Sequence, residues 1–328
     1  MRAVVVNTPG GPHNLIIQEQ AMPSYSDDQL LVKVAACGIN RADCLQRRGL
    51  YPSPPGESPI LGLEVAGEVY AVGSQVQGFQ RGDRICALIT GGGYAEYCVV
   101  QPELAFHLPP TMNWITAAAI PETFLTAYAC LFQIAALKPK ERVLIHAGAS
   151  GVGTTAIQLA LAQGATVYAT AGSAKKIEFL QQFDIVAYDY SEPEVWEKLG
   201  AATQGQGFDV ILDLIGAKYL DQHLQYLATE GRLCFVSLIS GYQTSIDLRP
   251  VLAKRLTLRG FTLRSQSLTA KQQLINQFKA SWWSAICDGT LKPIIDQCFL
   301  FEAAHLAHEY LEERLNQGKC VLILEENI

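Results

Sequence analysis

The 328-residue chain predicts an α/β protein in which a doubly wound parallel sheet is joined to a small barrel-like β domain. Three observations predict it. Short strands broken by glycine turns fill the first third, strands alternate with helices after about residue 122, and a glycine turn links a strand directly to a helix in that second region. Hydrophobic residues make up 49% and charged residues 17%, the balance of a packed chain and not of a disordered one. The length allows two domains, each with its own core.

The β region contains apolar strands at 30–36, 65–70 and 83–88, punctuated by Gly73, Gly78, Gly82 and the run Gly91 to Gly93. The loop Tyr51-Pro52-Ser53-Pro54-Pro55-Gly56 cannot be a regular strand, because proline has no N–H for a ladder. Further on, 142–146 reads as a strand, Gly148 to Gly153 as a turn and 154–163 as an apolar helix. Strands follow at 166–170, 208–213 and 232–238. The segment 301–316 is an amphipathic helix, and 319–324 is a strand predicted to close the sheet of the first domain. That domain is then discontinuous, 1–122 with 264–328, around a nucleotide-binding domain at 123–263.

With 25 Lys and Arg against 31 Asp and Glu, the net charge is −6, which opposes phosphate backbones, so no nucleic-acid partner is expected. The apolar stretch 1–7 is too short for a signal peptide. The most apolar region, 117–137, is interrupted by Pro121 and Glu122 and reads as a buried domain junction, not a membrane span. The expectation is a soluble, cytoplasmic protein. Nine cysteines are an odd number without a C-x-x-C pair, set in apolar runs, so they read as reduced, buried thiols. His305 and His308 are spaced i, i+3 but lack a third ligand nearby, so no metal site is expected.

The glycine turn is His146-Ala147-Gly148-Ala149-Ser150-Gly151-Val152-Gly153. A helix N-terminus at that point offers free N–H groups and a positive dipole to a pyrophosphate, and glycine lets the backbone approach it. In the fingerprint G-x-G-x-x-G the positions fall on Gly148, Ser150 and Gly153, so serine replaces the middle glycine. The strand–turn–helix–strand context makes this a Rossmann-type dinucleotide site. An NAD site would carry an acid at the end of the second strand. Here Ala171-Gly172-Ser173-Ala174-Lys175-Lys176 follows, with no acid before Glu178. Two lysines also suit a solvated helix start, but the missing acid tips the reading to NADPH.

With these residues in view, the chain resembles the zinc-independent medium-chain dehydrogenase/reductases of the quinone oxidoreductase, ζ-crystallin-like type. The resemblance rests on Ala36-Cys37-Gly38-Ile39-Asn40-Arg41-Ala42-Asp43, Leu61-Gly62-Leu63-Glu64-Val65-Ala66-Gly67, the glycine turn and Gly318-Lys319. Gly49-Leu50-Tyr51, Ile120-Pro121-Glu122 and 171–176 are most similar to the tumour-suppressor-inducible quinone reductase branch. The resemblance implies a GroES-like catalytic domain beside the Rossmann domain, and a homodimer for which 233–239 is the candidate edge. Asn40 stands where zinc-dependent relatives place a ligand cysteine, and Leu63 where they place histidine. An amide and an alkyl chain cannot assemble a zinc site.

The roles implied are these. Ser150, Gly151, Val152 and Gly153 contact the pyrophosphate, and Gly172, Lys176 and Tyr190 surround the 2′-phosphate. Thr126, Leu238, Ile239, Ser240, Phe261 and Leu263 line the nicotinamide pocket, and Lys319 touches the phosphate end or ribose. Asn40 and Tyr51 face nicotinamide and substrate as the candidate catalytic residues. The expected reaction is hydride transfer from NADPH to a quinone in a cleft between the domains, with protons from water or Tyr51. Two rivals stand: reduction of enoyl thioesters or other α,β-unsaturated carbonyls, and a non-catalytic NADPH-binding role, crystallin-like or RNA-binding.

Overall fold

The computed structural model describes residues 1–324, so the last four residues of the segment predicted at 264–328 lie outside the described residues. The chain forms two compact units, one from Met1–Leu125 and the chain from Leu263 on, the other from Thr126–Thr262.

In the first unit a seven-stranded sheet runs in the order Ile295–Leu300, Lys319–Ile323, Leu30–Ile39, Glu64–Val72, Arg84–Leu88, Ala105–His107, with Tyr97–Val100 paired to Leu30–Ile39. The strand Lys319–Ile323, expected from its apolar run to close this sheet, pairs antiparallel with Leu30–Ile39 and brings Lys319 beside the end of that strand. The core of this unit gathers Leu30, Val32, Val65, Val69, Ile85, Tyr94 and Phe301. The longest helix, Leu268–Cys287, is absent from the sequence reading. Ser267 caps it, its Oγ accepting from Ala270 N–H at 3.2 Å, and its buried residues Lys271, Leu274, Ile275 and Phe278 follow an i, i+3, i+4, i+7 spacing. Phe278 packs against Phe106 and Phe124.

The second unit is a six-stranded, wholly parallel sheet. Numbered by their place in the chain, its strands run 3-2-1-4-5-6: Val186–Asp189, Thr166–Ala171, Arg142–Ile145, Phe208–Asp213, Leu227–Phe235 and Thr257–Gly260. Its central strands are apolar along their length because helices cover both faces. Val143, Leu144, Ile145, Val210, Ile211 and Leu212 are all 0% exposed.

Two expectations need correction here. The strand expected at 232–238 runs Leu227–Phe235. The polar stretch Ala228-Thr229-Glu230-Gly231, with Glu230 at φ +62°, breaks the apolar pattern and hides its start. Nor does 233–239 form an edge. Leu233 to Phe235 pair on both sides, with Phe208–Asp213 and Thr257–Gly260, so the edge is Thr257–Gly260.

The segment 117–137 becomes two short helices, Trp114–Ala118 and Pro121–Tyr128, followed by a π-helical turn, Ala129–Ile134, most of it buried. No helix among the described residues is long and apolar enough to cross a membrane. All nine cysteines are free.

Candidate active site

In the nucleotide-binding unit, strand Arg142–Ile145 delivers the chain to the glycine turn, and helix Gly151–Ala162 leaves it. Ser150, the substitute for the middle glycine, is the N-cap: its Oγ accepts from Gly153 N–H at 3.0 Å. Gly148 and Gly153 are both tied to space. A Cβ on Gly153 would stand less than 3.0 Å from the carbonyl oxygens of Ala147 and Gly148, and one on Gly148 would lie 2.8 Å from Ala169 Cβ. The helix therefore starts hard against the strand, and its first N–H groups, those of Gly151 and Val152, have no intrahelical acceptor.

A buried polar chain braces this turn from beneath. His146 Nδ1 lies 2.7 Å from Thr170 Oγ1, His146 Nε2 lies 2.9 Å from His223 Nε2, and His223 Nδ1 lies 3.7 Å from Asp213 Oδ2. Burial pushes His146 down to about 3 and His223 well below the usual imidazole range, so both rings are neutral. With both rings neutral, Thr170 O–H donates to His146 and His146 Nε2–H to His223, which leaves the proton on His223 Nδ1, facing the Asp213 carboxyl at 3.7 Å without a hydrogen bond. The other oxygen, Asp213 Oδ1, accepts from Ile215 and Gly216 N–H at 2.7 and 3.1 Å. The chain thus ties the ends of three parallel strands to one another.

At the end of strand Thr166–Ala171, Gly172 and Tyr190 are brought together. A Cβ on Gly172 would fall less than 3.0 Å from the Tyr190 ring and hydroxyl, so only glycine leaves that hydroxyl against the backbone. Lys176 lies in the first turn of helix Ala174–Leu180, whose cap is Ser173. Lys218, which the sequence reading passed over, holds its ammonium 5.0 Å from the Tyr219 ring centre and 5.9 Å from that of Tyr190. Ser240 Oγ accepts from Lys218 N–H at 3.1 Å and donates to the Ile215 carbonyl at 2.9 Å. Leu238 is exposed, Ile239 half-buried, and Thr126 is buried on helix Pro121–Tyr128. Phe261 N–H donates to the Phe235 carbonyl at 2.9 Å, which extends the edge pairing by one residue.

In the catalytic unit, Asn40 and Lys319 meet, although 279 residues separate them. Asn40 ends strand Leu30–Ile39 and precedes helix Arg41–Arg47. Its N–H donates to Asp43 Oδ2 at 2.7 Å, and Asp43 Oδ1 accepts from Gly62 N–H at 3.0 Å. The amide side chain is held at both ends: Nδ2 donates to Glu64 Oε1 at 2.9 Å, and Oδ1 accepts from Lys319 Nζ at 2.5 Å. The Lys319 ammonium also lies 2.5 Å from Glu64 Oε1, with Glu64 0% and Lys319 3% exposed. Glu64 Oε2 accepts from Glu122 N–H at 2.8 Å. Gly38 makes room for this carboxylate, since a Cβ there would overlap Glu64 Oε1.

Burial raises Asp43 to about 6. Burial, then the neighbouring Glu64 carboxylate, raises Glu122 to about 8, so at neutral pH Glu122 carries a proton.

Tyr51 is half-buried, with the Arg264 guanidinium carbon 5.3 Å from its ring centre. Burial raises the Tyr51 hydroxyl and the Arg264 charge lowers it, with burial the larger effect. Leu263, immediately before Arg264, is buried.

Sequence reasoning quoted Asp43, Glu64 and Glu122 within motifs but gave them no role. A carboxylate inside the apolar run Leu61-Gly62-Leu63-Glu64-Val65-Ala66 was the available signal, because such a charge must find a partner. Nothing in the local pattern marks Arg264. The i, i+3 pair His305 and His308 has a structural outcome: His308 is buried, Nε2 lying 3.0 Å from Tyr94 Oη and Nδ1 3.3 Å from Arg47.

Two family profiles match the chain: an alcohol dehydrogenase GroES-like domain over residues 26–110, and a zinc-binding dehydrogenase over residues 151–280. With the fold, they define an oxidoreductase of the medium-chain dehydrogenase/reductase class. Within that class the chain belongs to the quinone oxidoreductase, ζ-crystallin-like family. It is 33% identical over 329 residues to the quinone oxidoreductase of Lama guanicoe, covering 99% of this chain and 98% of that protein. The human quinone oxidoreductase is 32% identical over 330 residues, with the same coverage.

Solved structures of the same fold include a mycobacterial protein in complex with NADPH, at a TM-score of 0.90, 29% identity and 99% and 100% coverage of the two chains. The CurK enoyl reductase matches at 0.88, 30% identity and 99% of both chains. An NAD-dependent alcohol dehydrogenase matches at 0.89 and 30%, covering 99% and 100%.

The second profile's name mentions zinc, and the residues described around Asn40 and Leu63 do not fit that ion. Asn40 has its amide oxygen on an ammonium, Leu63 is alkyl, and no group of three or more His, Cys, Asp or Glu among the described residues is arranged to hold a metal ion.

Proposed function

We propose that this protein is an NADPH-dependent quinone reductase that works without zinc. The observation that carries the reading is the Asn40–Glu64–Lys319 lock, which puts a fixed amide and a buried ammonium where a thiolate-bound metal would be needed for alcohol oxidation. The nucleotide-binding unit fits the cofactor. Its glycine turn offers a pyrophosphate the Gly151 and Val152 N–H groups, which have no intrahelical acceptor, and the Gly172–Tyr190 cradle with Lys176 suits a 2′-phosphate at the end of a second strand that carries no acid of its own.

Bound NADPH supplies a hydride; the chain's own residues do the rest. Ser150, Gly151, Val152 and Gly153 hold the pyrophosphate, while Thr126, Leu238 to Ser240 and Phe261 to Leu263 are assigned to the nicotinamide. Asn40 presents an amide whose orientation is set at both ends, and Lys319 is assigned to that orienting role in place of the cofactor contact that the resemblance implies. Tyr51 offers a flat ring for a quinone and a hydroxyl for its oxygen. The reading includes a cytoplasmic homodimer, as the resemblance implies, for which Thr257–Gly260 leaves an open strand edge.

A second reading, reduction of an enoyl thioester, is favoured by one specific feature. Glu122 holds its proton to about pH 8 and suits a donor to an α-carbon. The likeness to the CurK enoyl reductase agrees with it. Comparing quinone and enoyl-thioester reduction with each nicotinamide cofactor separates the two.

A further inference from the structure

The Arg264 side chain is 5% exposed, and two of its three nitrogens are pinned. Nε donates to the Thr90 carbonyl at 2.8 Å and Nη2 to Ser53 Oγ at 3.0 Å. The third, Nη1, is buried with no hydrogen-bond partner among the described residues. A buried, charged donor without an acceptor costs more than a neutral one, so its retention calls for an acceptor that arrives from outside. Its position is fixed in advance. Ser53 lies two residues from Tyr51 in the Pro-rich loop, and Lys271 Nζ holds the Arg264 carbonyl at 2.8 Å. The guanidinium carbon lies 5.3 Å from the Tyr51 ring centre, which sets this unpartnered donor beside the ring assigned to the quinone.

We propose that Arg264 is a catalytic residue whose Nη1 donates to the substrate oxygen that becomes negative on reduction. This rests on the quinone-reductase reading and deepens it. A quinone that accepts the hydride gains two electrons and one proton and becomes the hydroquinone monoanion; one proton from solvent then completes the hydroquinone. The charge appears on oxygen before that proton arrives, and a donor already in place stabilises it without reorganising. Arginine keeps its own proton throughout, so it serves as an electrostatic anchor and not as an acid. The chain thereby supplies from a side chain the positive charge that metal-dependent relatives draw from an ion.

The test uses the full-length protein and the variants Arg264→Gln and Arg264→Lys, with thermal unfolding confirming that each folds. With a para-quinone and saturating NADPH, Arg264→Gln should lower kcat by about 10²-fold or more, the scale for losing one such donor. The KM for NADPH should stay within about twofold, and Arg264→Lys should recover part of the loss. A second readout needs no turnover. The anion of 2-hydroxy-1,4-naphthoquinone, followed by difference absorbance without cofactor, should bind wild type at least about tenfold more tightly than Arg264→Gln, while neutral 1,4-naphthoquinone binds both alike. Wild-type kcat together with unchanged anion affinity in Arg264→Gln overturns the proposal. Should wild type reduce no quinone at all, the substrate reading fails, and the binding arm by itself decides the role of Arg264.

Discussion

The Lys319 ammonium and the Glu64 carboxylate lie 2.5 Å apart in a site that excludes solvent from both. Neither charge is tolerable there alone, because each gives up hydration that only the other and Asn40 replace. Lys319→Met should therefore destabilise the protein by about 3–5 kcal/mol, the scale for breaking a buried pair. Lys319→Met combined with Glu64→Gln should recover much of that loss. Urea unfolding of the two variants checks this, and a single variant within about 1 kcal/mol of wild type would contradict a buried ion pair.

The start of helix Gly151–Ala162 leaves no room for a Cβ at Gly153, where the obstacle is the carbonyl oxygens of Ala147 and Gly148. Gly153→Ala should shift the helix N-terminus and weaken NADPH at least about tenfold, a cost of about 1.4 kcal/mol. Calorimetric titration with NADPH measures it. An unchanged Kd would mean that the turn does not carry the pyrophosphate.

The Gly172–Tyr190 cradle and Lys176 concern the 2′-phosphate alone. Lys176→Ala should raise the KM for NADPH far more than that for NADH. Steady-state kinetics with both cofactors decide it; parallel changes would remove Lys176 from cofactor choice.

Glu122 sets a pH dependence whose sign can be worked out. Its carboxyl rises from an ordinary value of 4.5 to about 8 in the folded protein. Between those values the native state binds more protons than the unfolded one. The stability linked to this group is thus complete below about pH 4.5 and is lost as pH climbs to about 8. Glu122→Gln mimics the protonated form, so its Tm should gain on wild type steadily across that window and level off above it. A Tm difference independent of pH would show Glu122 ionised throughout.

The fold was legible wherever one period dominated. Phe208–Asp213 reads from its apolar run and appears with those bounds, because a central parallel strand is buried on both faces. Leu227–Phe235 was misplaced because its first half is polar and contains a left-handed residue. Helix Leu268–Cys287 escaped because its buried stripe includes Lys271, whose ammonium is satisfied by the Arg264 carbonyl, a contact that no periodicity encodes.

The site divides along similar lines. The glycine turn is local in sequence and was readable; Ser150 proved to be a cap as well as a substitution. The Asn40–Glu64–Lys319 lock and the Tyr51–Arg264 stack join residues far apart in the chain, and Arg264 carries no motif of its own.

The central claim is met most directly by following NADPH and NADH oxidation at about 340 nm by the purified, chelator-treated protein, given an ortho-quinone, a para-quinone and crotonyl-CoA in parallel. Quinone-dependent oxidation that prefers NADPH and survives chelation is the predicted result. Activity lost on chelation, or confined to crotonyl-CoA, would contradict it.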